Sequence, residues 1–382
     1  MSRLKLKKKK EFCQATFWKF CSPEHTMTTS TSDPRYAVAD LTTFAGALFA
    51  AAGCDADKSA TLAHYLVEAD LLGHTTHGLQ LASAYLGELA NGGMTARGEP
   101  EVVADRKATV TWDGNRLPGV WLTAKAVALA VERAPTYGVV TVVIRNSHHI
   151  ACLATFLEYA TSRGLMITIA SSDPAVASVA PFGGRKPVYT PDPIAIGIPT
   201  LGDPILIDIS ASITTNGMAN RLRREGKPFP GAWALDSSGN PTNDPEALFT
   251  NPPGSLLPVG GVDHGHKGYG LALMIEALTQ GLSGYGRANS PSAWGASVFV
   301  QVTDPEAFGG LRAFQEQTDW LATTCRAVPP VPGVDAVRLP GERALARKRD
   351  ALAHGVPLYA GILASLEPFA AKYGVAVPKP IA

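Results

Sequence analysis

The segment GHTTHG, Gly73–Gly78, sets an imidazole, His77, directly behind a hydroxyl, Thr76. Histidine is the side chain that titrates nearest neutral pH, so it can both give and take a proton. Reduction of a carbonyl or imine needs a hydride and a proton, and a pocket-facing His77 at a helix start would deliver the second. The plainer reading is a helix-capping threonine beside a surface histidine. A second segment, RNSHHIACL, follows the β-branched run VVTVVI and places Ser147, His148 and His149 at a strand end, where α/β proteins hold ligands. The adjacent histidines have no third donor at useful spacing, so no metal centre is expected.

Four more clusters stand out. SSDPAVASVAPFGGRKPVYTPDPIAIGIP carries Ser171, Ser172, Thr190 and Asp192 in a Pro/Gly-rich connection. It reads either as a rigid surface loop or as donors around a ribose, phosphate or carboxylate. In LIDISAS, Asp208 interrupts an apolar strand, so its carboxylate must be hydrogen-bonded or face a cleft. DHGHKGYG heads a long apolar helix. A lysine there, Lys267, opposes the helix dipole unless an anion such as a cofactor phosphate lies between them. LPGERALARKRDALAHG opens on Pro340-Gly341-Glu342, which by itself reads as an N-capping arrangement.

The periodicities supply the elements that position these groups. From about Tyr36 to Ala90 the pattern is helical, with Asp55 or Asp57 as N-cap, a stop at Gly73, and a third helix beginning near His77. PEVVADRKATVTWDG alternates as strand, WLTAKAVALAVERAPTYG is an amphipathic helix, and VVTVVIRN is a strand covered on both faces. LATFLEYATSRG then reads as helix, and LMITIASS, PIAIGIPT and PILIDISAS as strands. GYGLALMIEALTQGLSG is a helix, WGASVFVQVTDPEAF a late strand, and two closing helices follow. No Gly/Pro/Ser-rich linker divides the chain, which predicts intertwined domains. A G-x-G-x-x-G between a first strand and a helix is missing, so any dinucleotide binds by another device.

Composition narrows the partners. The 34 basic and 33 acidic residues give a net charge of +1, but residues 1–26 hold seven of the basic and two of the acidic ones, leaving a mildly acidic body. Such a body predicts no nucleic-acid partner. The basic stretch lacks the apolar run of roughly 7–15 residues that a signal peptide needs. Residues 1–33 read as a disordered leader, its first 26 residues an extension from translation starting upstream of Met27, with a polybasic membrane or nucleic-acid tether as the alternative. Five scattered cysteines form no disulfide framework, and no apolar run reaches the ~18 residues of a membrane span, so a cytoplasmic protein is expected.

In this order and spacing, Thr76-His77-Gly78, RNSHH, TPDP in place of a TNP-like element, Asp208-Ile209-Ser210 in place of an Asp-Met-Ser-like one, HKGYG and LPGE resemble the type-2 malate/L-lactate dehydrogenase family. That family is also called sulfolactate dehydrogenase-like and includes ureidoglycolate dehydrogenase and 2,3-diketogulonate reductase. The resemblance runs from about Tyr36 to Val375. It implies a non-Rossmann α/β fold of sulfolactate dehydrogenase type. A cofactor domain, 116–290, would be inserted between an N-terminal helical segment, 34–115, and a C-terminal segment, 291–382, of a second domain. It implies NAD or NADP as cofactor, a small 2-hydroxy or 2-keto acid as substrate, and a homodimer. His77 would be the proton donor and acceptor, with Thr76 and His149 beside it. Ser172, Asp208, Ser210, Lys267, Gly268, Pro340, Gly341 and Glu342 would surround the cofactor, and Thr190 and Asp192 the substrate. The family's carboxylate-gripping arginine is Leu81 here, which an apolar side chain cannot replace. That departure keeps two alternatives open: an NADPH-dependent cyclic imino-acid reductase, and a nicotinamide-nucleotide-binding protein impaired in catalysis.

Overall fold

The structure, a computed structural model, describes residues 34–381; the basic leader lies outside the described residues. The N-terminal pattern folds as three helices, α1 (Val38–Ala51), α2 (Ala56–Leu71) and α3 (Ala82–Ala90). Their apolar stripes close on one another through Leu41, Leu48, Leu62, Leu66 and Leu86, all with no exposed surface. Burying each leucine contributes roughly 1.5–3 kcal/mol. Asp55 stands at the N-cap of α2 but makes no capping bond; its carboxylate takes Lys58 and the Gly98 N–H instead.

Seven strands follow: β1 (Glu101–Asp105), β2 (Thr109–Asp113), β3 (Val139–Ser147), β4 (Met166–Ser172), β5 (Pro193–Ile198), β6 (Ile205–Ser210) and β7 (Ala296–Thr303). They form one sheet in the order β1-β2-β3-β7-β4-β5-β6. Only β2 and β3 run parallel, joined by the long helix α4 (Gly119–Tyr137). The other neighbours are antiparallel. Residues 34–115, 116–290 and 291–381 all contribute strands to this sheet. Alternation along β3 and β7 sends Val142, Ile144, Val298 and Val300 to a core shared with α4 and the N-terminal helices. Val143 and Phe299 go to a second core with Ala170, Ile194, Ala272 and Ile275. The β-branched run of β3 is therefore covered on both faces, as expected.

Besides two short helices, Leu157–Thr161 and Gly261–His264, the remaining helices are α5 (Asn216–Arg224), α6 (His266–Glu276), α7 (Leu311–Ala327), α8 (Glu342–His354) and α9 (Ile362–Tyr373). The chain ends return to the beginning: Arg35–Tyr36 pairs with Val356–Pro357, and α9 packs against α1 and α3. The register Ser147↔Ala296, Ser297↔Ser172, Ala170↔Ile194 and Pro193↔Ser210 gathers the ends of five strands at one edge of the sheet. Every polar cluster singled out in β3, β4, β5 and β6 lies at or next to that edge.

Candidate active site

The backbone around His77 is held from below. Helix α2 stops at Gly73, whose φ is +82°. The chain then makes two 3₁₀ turns, Thr75–His77 and Leu79–Leu81, before α3 begins. His77 thus sits in a tight turn, a correction to the helix start expected there. Two short turns replace one helix because a side chain of α2 takes a backbone donor: Asp70 Oδ2 accepts the Leu79 N–H at 2.8 Å. Gly78 presses so close to this carboxyl that a Cβ would collide with it. Burial pushes the Asp70 acid up to about 8, against the pull of the Leu79 bond.

Within the turn, Thr76 Oγ1 lies 2.9 Å from His77 Nδ1. That contact leaves Nε2 as the ring atom open to a reacting group. The His149 ring stacks near it, with centroids 6.1 Å apart and planes at 27°. His149 Nδ1 accepts from the Tyr85 hydroxyl at 2.7 Å and from the Ala151 N–H at 3.3 Å, so the neutral ring carries its proton on Nε2. Trp294 lies 4.9 Å from both His148 and His149 and closes an aromatic wall with Tyr85. Burial lowers the pKa of His77 and, more strongly, of His149; the Asp208 carboxylate pulls His77 back upward. A half-buried, neutral imidazole with one free nitrogen suits proton abstraction, and its conjugate acid suits proton delivery.

The rest of the sheet edge forms two further groups. Asp208 accepts from the Ala154 N–H at 2.9 Å and from the Cys152 thiol at 3.7 Å, and burial raises its acid to about 6. It belongs with His77, on which its charge acts. Ser172, Thr190 and Asp192 form the other group. Thr190 Oγ1 donates to Asp192 Oδ1 at 2.7 Å, Ser172 Oγ bonds Glu276 at 2.7 Å, and Arg287 grips both Ser172 and Glu276. Asp192 is wholly buried with φ +47°, and burial together with Glu276 raises its pKa. The loop carrying Trp294 lies between these two groups, through Gly295 beside Ser147 and Asp173.

Other expected residues spread further. Gly268 packs on Ala211 and Val259, next to Ser210, where a Cβ would collide with three backbone atoms. Lys267 beside it is exposed and makes no ion pair among the described residues. Pro340 accepts the Leu206 N–H at 3.1 Å, four residues before Ser210 on β6. Gly341 lies against the same Leu206, and Glu342 bonds the Leu339 N–H of its own turn at 3.1 Å and pairs with Arg326. Asp70, Tyr85, Trp294, Glu276 and Arg287 escaped the sequence reading. For Asp70 a signal existed, an acid set among Leu66, Val67, Ala69 and Leu71 of a buried helix. The mixed group His74, Cys152 and Asp208, whose donor atoms lie within 4.8 Å of one another, comes from three separate segments and has no spacing signature.

Residues 36–367 match the family model described as malate/L-lactate dehydrogenase. The chain is 30% identical over 332 residues to a malate dehydrogenase of Pyrococcus horikoshii, covering 85% of this chain and 91% of that protein. It is also 30% identical to a Δ1-pyrroline-2-carboxylate/Δ1-piperideine-2-carboxylate reductase of Pseudomonas syringae, over 85% of this chain and 92% of that one. The crystal structure of malate dehydrogenase from Entamoeba histolytica superposes with a TM-score of 0.85 at 26% identity, over 91% of this chain and all of that one. Fold and sequence agree along nearly the whole described chain, and the protein belongs to the malate/L-lactate dehydrogenase family of oxidoreductases.

Proposed function

We propose that this chain transfers hydride between a nicotinamide dinucleotide, NAD or NADP, and a small polar 2-hydroxy/2-keto acid or related carbonyl compound. His77 takes the hydroxyl proton in oxidation and returns it in reduction. The observation that carries this reading is the His77–His149 pair: two neutral rings, each anchored through Nδ1, beside an aromatic wall at the sheet edge. The groups that would hold a dinucleotide there are the exposed Lys267 and Ser210, whose hydroxyl donates to the Ser212 carbonyl at 2.9 Å, beside the N-terminus of α5, where Thr215 Oγ1 caps the Met218 N–H at 3.1 Å. That helix begins beside the catalytic turn, since a Cβ on Gly217 would lie 3.8 Å from Thr76 Cβ. Ser172 and Asp208 are assigned to the same cofactor face, together with Gly268 and the Pro340–Glu342 turn. Thr190 and Asp192 are assigned to the substrate side. The bound nicotinamide supplies the hydride; the protein's part is to orient the substrate carbon and to hold or accept the proton at His77 Nε2.

The test is His77→Ala. Turnover should fall by roughly 10²–10⁴ while binding, read by nicotinamide fluorescence, survives. An unchanged rate would remove His77 from the mechanism. The Pseudomonas relative supports a second reading, reduction of a cyclic imino acid, in which His77 protonates the nitrogen. A panel of keto acids, cyclic imines and neutral carbonyls separates the two. No described helix is long and apolar enough to cross a membrane. A cytoplasmic homodimer is part of the proposal, to be checked by light scattering and fractionation.

A further inference from the structure

We propose that His74, Cys152 and Asp208 bind a borderline-soft divalent metal ion, such as Zn²⁺ or Co²⁺, and that occupancy inhibits the enzyme. Three donor types converge: an imidazole nitrogen, a thiol sulfur and a carboxylate oxygen, all within 4.8 Å of one another. Each comes from a different, anchored segment. His74 follows α2 and is pinned by its N–H to the Ala69 carbonyl at 2.8 Å. Cys152 follows β3, its carbonyl held by Thr155 Oγ1 at 2.7 Å. Asp208 lies on β6, fixed by the Ala154 N–H at 2.9 Å. Zinc holds nitrogen and oxygen at about 2.0–2.2 Å and sulfur at about 2.3 Å, so tetrahedral donors lie roughly 3.5 Å apart. Closing the cluster onto an ion therefore takes side-chain movement on the order of an ångström. Three protein ligands leave a fourth position for water.

The exchange balances without a redox change. The metal–sulfur bond forms as the Cys152 S–H proton leaves to solvent, and the thiolate and carboxylate together neutralise the two positive charges of the ion. Arg347, which faces His74, opposes the ion, so the site holds a metal only with both anions formed. Its consequence for turnover rests on the function proposed above; the binding itself does not. The carbonyl of His74 accepts the His77 N–H at 2.8 Å, so the ligand and the proton-carrying ring share one turn. Drawing the His74 ring onto an ion moves that turn and displaces His77.

The experiment titrates the full-length, metal-free chain with cobalt(II) chloride and reads the near-ultraviolet thiolate-to-cobalt band. One equivalent should bind with that band. Cys152→Ser should abolish it, and His74→Ala and Asp208→Asn should each weaken binding by more than the roughly 10–100-fold that loss of a ligand's own hydrogen-bond partner costs. Zinc should displace the cobalt and stop turnover over the same concentration range. His266→Ala, which breaks the exposed His264–His266 pair, should leave the band intact. Absence of the band, its persistence in Cys152→Ser, or unweakened binding in both His74→Ala and Asp208→Asn, would overturn the site. Circular dichroism identifies any variant that fails to fold, and the two remaining ligand variants still decide. A fully active His77→Ala would sink the proposed reaction yet leave the cobalt band untouched, so the two failures are distinguishable.

Discussion

Asp70 gives one carboxylate oxygen to the Leu79 N–H and buries the other, which has no partner among the described residues. Its task is to hold the turn that presents His77. Asp70→Asn keeps the acceptor and should leave turnover near the parent rate. Asp70→Ala strands a buried N–H, which costs about 1–3 kcal/mol, and lets the turn relax. Melting temperature and kcat should then fall together, and a normal kcat in Asp70→Ala would deny Asp70 this role. Asp192 makes a different prediction. Burial and Glu276 raise its pKa in the folded protein, so the native state keeps a proton that the unfolded chain releases near its ordinary value of about 3.9. Stability from this group is complete below that value and is lost as pH rises through the raised one. Asp192→Asn, neutral at every pH, should melt like the parent in acid and gain on it progressively toward neutral and alkaline pH. A constant difference in melting temperature across that range would show that Asp192 is ionised in the fold. As a candidate, His77 was legible because an imidazole behind a hydroxyl in one short motif stands out by residue type alone. Asp70 was not, because its partner is a backbone N–H nine residues away.

Helix α6 shows how an element sets a site. Its first turn runs against Ala211 and Val259, and only a glycine at position 268 allows that approach. Gly268→Ala forces the helix off β6, with a cost on the order of 1–3 kcal/mol for overpacking. The expected result is a lower melting temperature together with weaker dinucleotide binding, since Lys267 and Ser210 move apart. Unchanged binding by fluorescence titration would separate α6 from the cofactor face. Elements with a broad apolar stripe were readable in advance: α1, α2, α4 and the strands of the central sheet. Helices α5 and α7 were not. Each buries a single alanine, Ala219 or Ala322, so neither writes an apolar period into its residues. The 3₁₀ turns at Thr75–Leu81 were missed for another reason, since tertiary contact with Asp70 overrides a local helical preference there.

At the scale of the molecule, strand content and an α/β architecture followed from the order of periodic segments. The neighbours at the centre of the sheet did not, because β7 pairs with residues more than a hundred positions earlier in the chain. Within this sheet the distant case is β7, which lies between β3 and β4 and completes both ladders. Synthesis from the N-terminus therefore delivers the middle of the sheet last. Until residues 296–303 have left the ribosome, β3 and β4 each present an unpaired edge, and Val142, Val143, Ile167 and Ile169 have no strand between them. A nascent chain in that state is prone to edge-to-edge association. A fragment ending at Trp294 should be insoluble or rapidly cleaved by protease, whereas a soluble, protease-resistant fragment would mean that the two halves of the sheet close without their keystone. Chaperone occupancy during translation is thus expected to persist until the last fifth of the message is read.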